Sequence, residues 1–137
     1  MANLIQQKFS SDCGVAALAM FLGRPYEDVA VHCSGWELMR HGLSGPRTDF
    51  LASLFGVEIS YRHPDVIDWT KPAVLSVPSL NIDGSHAVYW DGQRINDPNE
   101  GKAGKRVYSE SLDYGGRRSA QEQCFVGYQR NDECSVS

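Results

Sequence analysis

An α+β domain is the fold class this sequence predicts, and three observations predict it. Apolar residues recur at helical spacing up to about residue 55. After Gly56 the pattern changes to strand-like alternation, beginning with Val57, Ile59 and Tyr61. Farther on, Asp91-Gly92 separates two short β-type runs, a strong hairpin signal. Helices first and strands afterwards is an α+β order. A chain of 137 residues, 42% of them apolar, can bury one real core. Residues 1–130 read as a single domain and 131–137 as a flexible tail.

The elements follow in order. The first helix runs from about Cys13 to Leu22, with Asp12 as N-cap and Gly23 just past its end. Val15, Ala16, Leu18, Ala19 and Leu22 leave it little polar face, so it should be central and buried. Gly14, Ala16, Ala17 and Ala19 are small enough to let a sheet approach closely. A second helix begins near Pro25 and takes in Tyr26 to about Ala30 or His32. Trp36 to Arg40 forms a short helical turn. Ser44-Gly45-Pro46 opens a third helix whose apolar positions are Phe50, Leu51, Leu54 and Phe55, and Gly56 ends it. One helical turn is expected near Asp65 to Trp69, and a buried strand over Ala73–Val77. Pro98 to Gln123 reads as a long loop with a strand or turn near Val107-Tyr108, and Cys124–Tyr128 as the final strand.

The chemistry concentrates at Cys13. A thiol at a helix N-terminus meets the positive end of the macrodipole and unpaired N–H groups, which favour the nucleophilic thiolate. Gln7 lies six residues upstream and carries a neutral N–H₂ donor of the kind that can stabilise an oxyanion. Cys13 alone reads more readily as a small buried hydrophobe than as a nucleophile.

The second half of the constellation sits on the hairpin. With Asp91-Gly92 as a two-residue turn, Trp90 faces Gln93, Tyr89 faces Arg94, Val88 faces Ile95, Ala87 faces Asn96 and His86 faces Asp97. Asp97 would then orient His86, giving the base–orienter pair that a thiol nucleophile needs. A one-residue slip would send the two side chains to opposite faces and leave Asn96 as the substitute orienter.

Gln7, Asp12-Cys13-Gly14, the Ala-Ala-Leu-Ala-Met helix, His86-Ala87-Val88 and Asn96-Asp97-Pro98 together resemble the C39 family of papain-like cysteine peptidases. These domains cut double-glycine leader peptides. The segment Gly42 to Gly45 followed by Asp49 to Val57 also looks like the family's second helical region. The resemblance implies a nucleophile helix packed on an antiparallel sheet. It implies Cys13 as nucleophile, His86 as general base and acid, Asp97 as orienter and Gln7 as oxyanion-hole donor. It implies a peptide or protein substrate and no cofactor. Many members of the family are domains of peptide-exporting transporters, and no exporter segment occurs within these residues. Isopeptide cleavage or glutamine deamidation would use the same constellation, and some C39-like domains bind peptides without cutting them, having lost the cysteine.

Composition narrows the remaining classes. A net charge of −4 gives no nucleic-acid footprint, and the basic runs at Lys102–Arg106 and Arg117-Arg118 read as solvated loop faces. The N-terminus lacks the pattern of a secretory signal, and no stretch approaches the ~18 apolar residues of a membrane span, so a cytoplasmic protein is expected. The cysteines Cys13, Cys33, Cys124 and Cys134 are then expected as free thiols. His32-Cys33 is a poor metal motif, and no metal site is expected. His41 and His63 read as surface residues, and Gly115-Gly116 as a flexible turn.

Overall fold

The computed structural model describes residues 4–108 and 117–131. The helices α1 (Cys13–Leu22), α2 (Tyr26–Ala30) and α3 (Gly45–Leu54) precede the sheet, with a π-helical turn at Glu37–His41. The strands are β1 (Ile59–Arg62), β2 (Ala73–Pro78), β3 (Ser85–Trp90), β4 (Ile95–Asn96) and β5 (Val126–Arg130). A 3₁₀ turn at Pro64–Val66 and a helix α4 (Arg117–Gln123) complete the chain's order. The strands form one open antiparallel sheet in the order β1-β5-β2-β3-β4. The architecture is α+β.

Helix α1 has the expected bounds because its end is chemically specified. Gly23 takes a left-handed φ of 68°. Its N–H donates to the Met20 carbonyl while the Arg24 N–H reaches Ala19, which closes the helix in a Schellman arrangement. Val15 to Ala19 are fully buried, and the small side chains let α1 lie against β3 and β2. α3 starts where expected: the Ser44 hydroxyl accepts from the Arg47 N–H at 3.2 Å. Its buried face is narrower than its apolar pattern: Thr48, Leu51 and Ala52 are covered, but Phe50 and Leu54 are exposed. The Arg47 guanidinium lies over the Phe50 ring.

Both faces of the central strands are covered. Val74 and Tyr89 join the α1 core. Leu75, Val77, Val88, Trp90 and Ile95 form a second core with Trp69, Tyr108 and Ala120. Tyr89 and Trp90, neighbours on β3, are both buried because each points into a different core. The Trp90 indole N–H donates to the Trp69 carbonyl at 3.0 Å, so its burial leaves no orphan donor.

The long-loop reading of Pro98 to Gln123 is corrected by α4. Its one apolar residue, Ala120, is fully buried, so a short helix is held by tertiary packing that no periodicity announces. The last strand begins at Val126, two residues later than Cys124. Cys13, Cys33 and Cys124 are free thiols. Cys134, the residues 109–116 that contain Gly115-Gly116, and the tail 132–137 lie outside the described residues. Among the described residues no helix is long and apolar enough to cross a membrane.

Candidate active site

Cys13 is the first residue of α1, as its spacing from Asp12 and the apolar run implies. Asp12 does not cap the helix with its side chain. The fully buried carboxylate turns back instead and accepts from the Lys8 N–H at 2.7 Å, the Phe9 N–H at 2.9 Å and the Tyr26 hydroxyl at 2.6 Å. Burial first, and then the bond and charge of Asp12, push the Tyr26 hydroxyl far up, so it remains a donor. Asp12 thus folds residues 8–12 into the loop that delivers Cys13. Asp12 holds the N-cap position, as expected, but the side-chain cap bond is not made: three other donors outcompete the helix N–H groups for one carboxylate.

The hairpin also departs from its expected form. Tyr89 pairs with Asn96 and Trp90 with Ile95, so the turn spans four residues, Asp91 to Arg94, rather than two. The Asp91 carboxylate accepts from the Gln93 and Arg94 N–H groups at 2.8 Å each and stabilises the wider turn. None of the five cross-strand pairs expected of a tight turn forms. The register is displaced by two residues, however, and an even displacement preserves faces. His86 and Asp97 remain on one side, and His86 Nε2 lies 2.7 Å from Asp97 Oδ1. Asn96 takes no part: its amide donates to Asp91 Oδ2 at 3.1 Å.

Asp97 is 1% exposed and fully engaged. Oδ1 also accepts from the Asn99 N–H at 2.9 Å, and Oδ2 from the Tyr108 N–H at 3.1 Å. The Tyr108 hydroxyl in turn donates to the Pro78 carbonyl, which ties the loop after Asp97 to the end of β2. With Nε2 committed to Asp97, Nδ1 is the nitrogen left to the thiol. Burial pulls His86 down, but the bonds to Asp97 and Cys13 and the charges of both outweigh it and push His86 up to about 9. Beside it, the Ala87 N–H donates to Cys13 Sγ at 3.5 Å.

Gln7, Cys13 and His86 line one cleft of about 630 Å³. Gln7 is held there through its backbone: its N–H donates to the Pro98 carbonyl and its carbonyl accepts from Lys102 Nζ, each at 2.9 Å. Its side-chain N–H₂ gives one bond, to the Phe9 carbonyl at 2.9 Å. Among the described residues, the buried oxygens without a partner are Gln7 Oε1 and Asn99 Oδ1, and both residues line this cleft. Unsatisfied polar atoms are rare in folded proteins and gather where structure is shaped for something other than stability. A larger hollow of about 1460 Å³ at the other end of α1 has no Cys, His or Ser in its lining.

Sequence reasoning missed Asn99, Tyr108 and the anchoring role of Asp12. Only the Asn96-Asp97-Pro98-Asn99 string carried a signal, because such residues bond their own backbone nearby. The cleft's helical wall is fixed by Arg47, whose guanidinium makes a two-pronged contact with Glu37 at 2.8 and 3.3 Å and also donates to the His32 carbonyl. Arg47 holds the Glu37 carboxyl below its usual range. His41, on the same wall, is exposed and stacks on Trp36.

No family model matches this chain. No curated protein or solved structure matches it either.

Proposed function

We propose that this protein is a papain-like cysteine peptidase of the C39 type that hydrolyses a peptide bond between small residues. The observation that carries the reading is one arrangement: a thiol at the start of a buried helix, beside an imidazole whose far nitrogen is held by a buried carboxylate. That is the nucleophile–base–orienter logic of covalent acyl transfer. His86 takes the thiol proton, and Cys13 Sγ attacks the carbonyl carbon. The C–N bond breaks as the imidazolium returns the proton to the leaving amine. Water, deprotonated by His86, then hydrolyses the thioester and restores the thiol.

The oxyanion needs donors that are not already engaged. Because the Asp12 side chain is turned away from α1, the first N–H groups of that helix have no carboxylate competitor. Gln7 N–H₂ on the same cleft supplies a second donor, the Phe9 carbonyl taking one of its two hydrogens. Chain scission distinguishes this reaction from deamidation, which leaves the substrate chain intact.

The test is brief iodoacetamide labelling at about pH 6 with peptide mapping, where an ordinary thiol of pKa about 8.5 is nearly inert. Cys13 should label first. Burial pushes the Cys33 thiol up to about 11 and the Cys124 thiol up to about 12, so neither should compete. Labelling of Cys13 should vanish in His86→Ala, and hydrolysis of a Gly-Gly peptide should vanish in Cys13→Ala. Hydrolysis that persists in Cys13→Ala refutes the assignment.

A further inference from the structure

The charge of the cleft opposes the charge of the chain. The whole sequence carries −4, yet among the described residues the cleft lining includes Arg40 and Lys105 and no Asp or Glu. Arg40 comes from the helical wall and Lys105 from the loop that follows Asp97. Both are exposed, and neither side chain has a hydrogen bond or ion pair among the described residues. Other basic side chains are neutralised: Lys8 by Glu27, Arg24 by Asp28 and Arg47 by Glu37. The nearby carboxylate of Asp49 borders a separate hollow beyond Tyr61 and Tyr128.

Each wall therefore presents a cation with no partner among the described residues to whatever lies across Cys13, while His86 is paired with the Asp97 carboxylate and adds no net charge. We propose that this cleft selects a peptide segment bearing carboxylate side chains on both sides of its small central residues. The inference rests on the peptidase reading for the peptide backbone, its small central residues and what happens after binding. Binding itself follows from the field: a cleft lined by one sign of charge raises the local concentration of the opposite sign and speeds its association. Because Arg40 and Lys105 are exposed, each contact is modest, on the order of two- to fivefold in affinity, and must weaken as salt screens it.

The experiment uses nine-residue fluorescent peptides with Gly-Gly at the centre, flanked on both sides by Glu, Gln or Lys. Fluorescence polarisation on the full-length Cys13→Ala chain reads binding without turnover, and the chain with Cys13 intact reads cleavage in parallel. The Glu peptide should bind most tightly and the Lys peptide least, with the spread collapsing between low and about 0.5 M salt. Arg40→Glu and Lys105→Glu should each reduce the Glu-over-Lys preference, and the double variant should invert it. Melting curves report whether the variants are folded. Equal binding of the three peptides overturns the inference, as does a preference untouched by both substitutions, or no binding of any peptide. Cleavage without charge preference keeps the peptidase reading and removes this one. Charge-selective binding without cleavage does the reverse.

Discussion

Removing the Asp12 carboxylate should unseat the loop that presents Cys13. Asp12→Ala deletes three hydrogen bonds at once, from the Lys8 N–H, the Phe9 N–H and the Tyr26 hydroxyl. A bond to a charged acceptor contributes roughly 1.5–3 kcal/mol. The two backbone donors are only part-buried and can recover water, so the sum is below three full contributions. The expected loss is about 3–5 kcal/mol, most of it from the buried Tyr26 hydroxyl and the collapse of the turn. For a chain of this size that lowers Tm by roughly 10–20 °C. Tyr26→Phe removes one bond and leaves Asp12 two donors, so it should cost about 1–2 kcal/mol. The double variant should cost less than the sum of the two, because both break the same contact. Thermal and urea melts measure all three. A loss below about 1 kcal/mol for Asp12→Ala, the range of an ordinary surface substitution, refutes the anchoring role.

Three further outcomes follow from the site's geometry. His86 is raised to about 9, so its charged form stabilises the fold fully below about pH 6.5 and that contribution disappears as pH rises through about 9. The alkaline limb of kcat/KM should therefore fall near pH 9 and move lower in Asp97→Asn, a pH profile of each being the check. Arg47→Ala should cost about 1–2 kcal/mol, because Glu37 is nearly buried and loses both prongs. Glu37 is depressed by Arg47, so the difference between the two proteins is present above about pH 4.5 and shrinks as melts are run at lower pH. Gly42→Ala should cost about 1–3 kcal/mol, since Gly42 has φ 78° and an added Cβ would meet the Ser11 carbonyl at 3.2 Å; an unchanged Tm would refute the left-handed conformation of Gly42.

The helical half of this fold was legible because its signals are local. Gly23 and Gly56 sit at positive φ where helices end, and Ser44 makes the cap its type allows. What escaped were features decided by distant partners. α4 has one buried apolar residue and so no period to read. Asp12 was legible as a cap from its neighbours alone; the turned-back Lys8 and Phe9 N–H groups, together with Tyr26 folded back by α2, make another use of the carboxylate better. Tyr89 and Trp90 could not be sorted into inside and outside, because the sequence does not announce that segments far along the chain cover the second face of the sheet. The cleft's charge escaped for a similar reason. Arg40 and Lys105 are 65 positions apart and become one feature only when the helical wall and the loop after Asp97 close on the same space.

The His86–Asp97 contact is kept although the turn is two residues longer than expected, and the reason lies in the pleat. A two-residue turn would have set the two residues directly opposite each other. The four-residue turn makes them diagonal neighbours, with backbones roughly 7–8 Å apart, still within reach of an imidazole and a carboxylate on one face. Side-chain parity is therefore the conserved quantity, and hairpin length matters only modulo two. The cost of the longer turn is that Asp97 lies beyond the last ladder pair, where no strand partner fixes it. Its two oxygens are fixed instead by the Asn99 and Tyr108 N–H groups, so the loop that follows takes over the orienting work a ladder would have done. The same loop holds Gln7 through the Pro98 carbonyl and Lys102 and carries Lys105 into the cleft. Orientation of His86, placement of the proposed oxyanion donor and the cleft's charge thus depend on one stretch of chain, Asp97 to Tyr108. Substitutions that loosen it should impair all three together, whereas a substitution in the Asp91–Arg94 turn that leaves register unchanged should impair none.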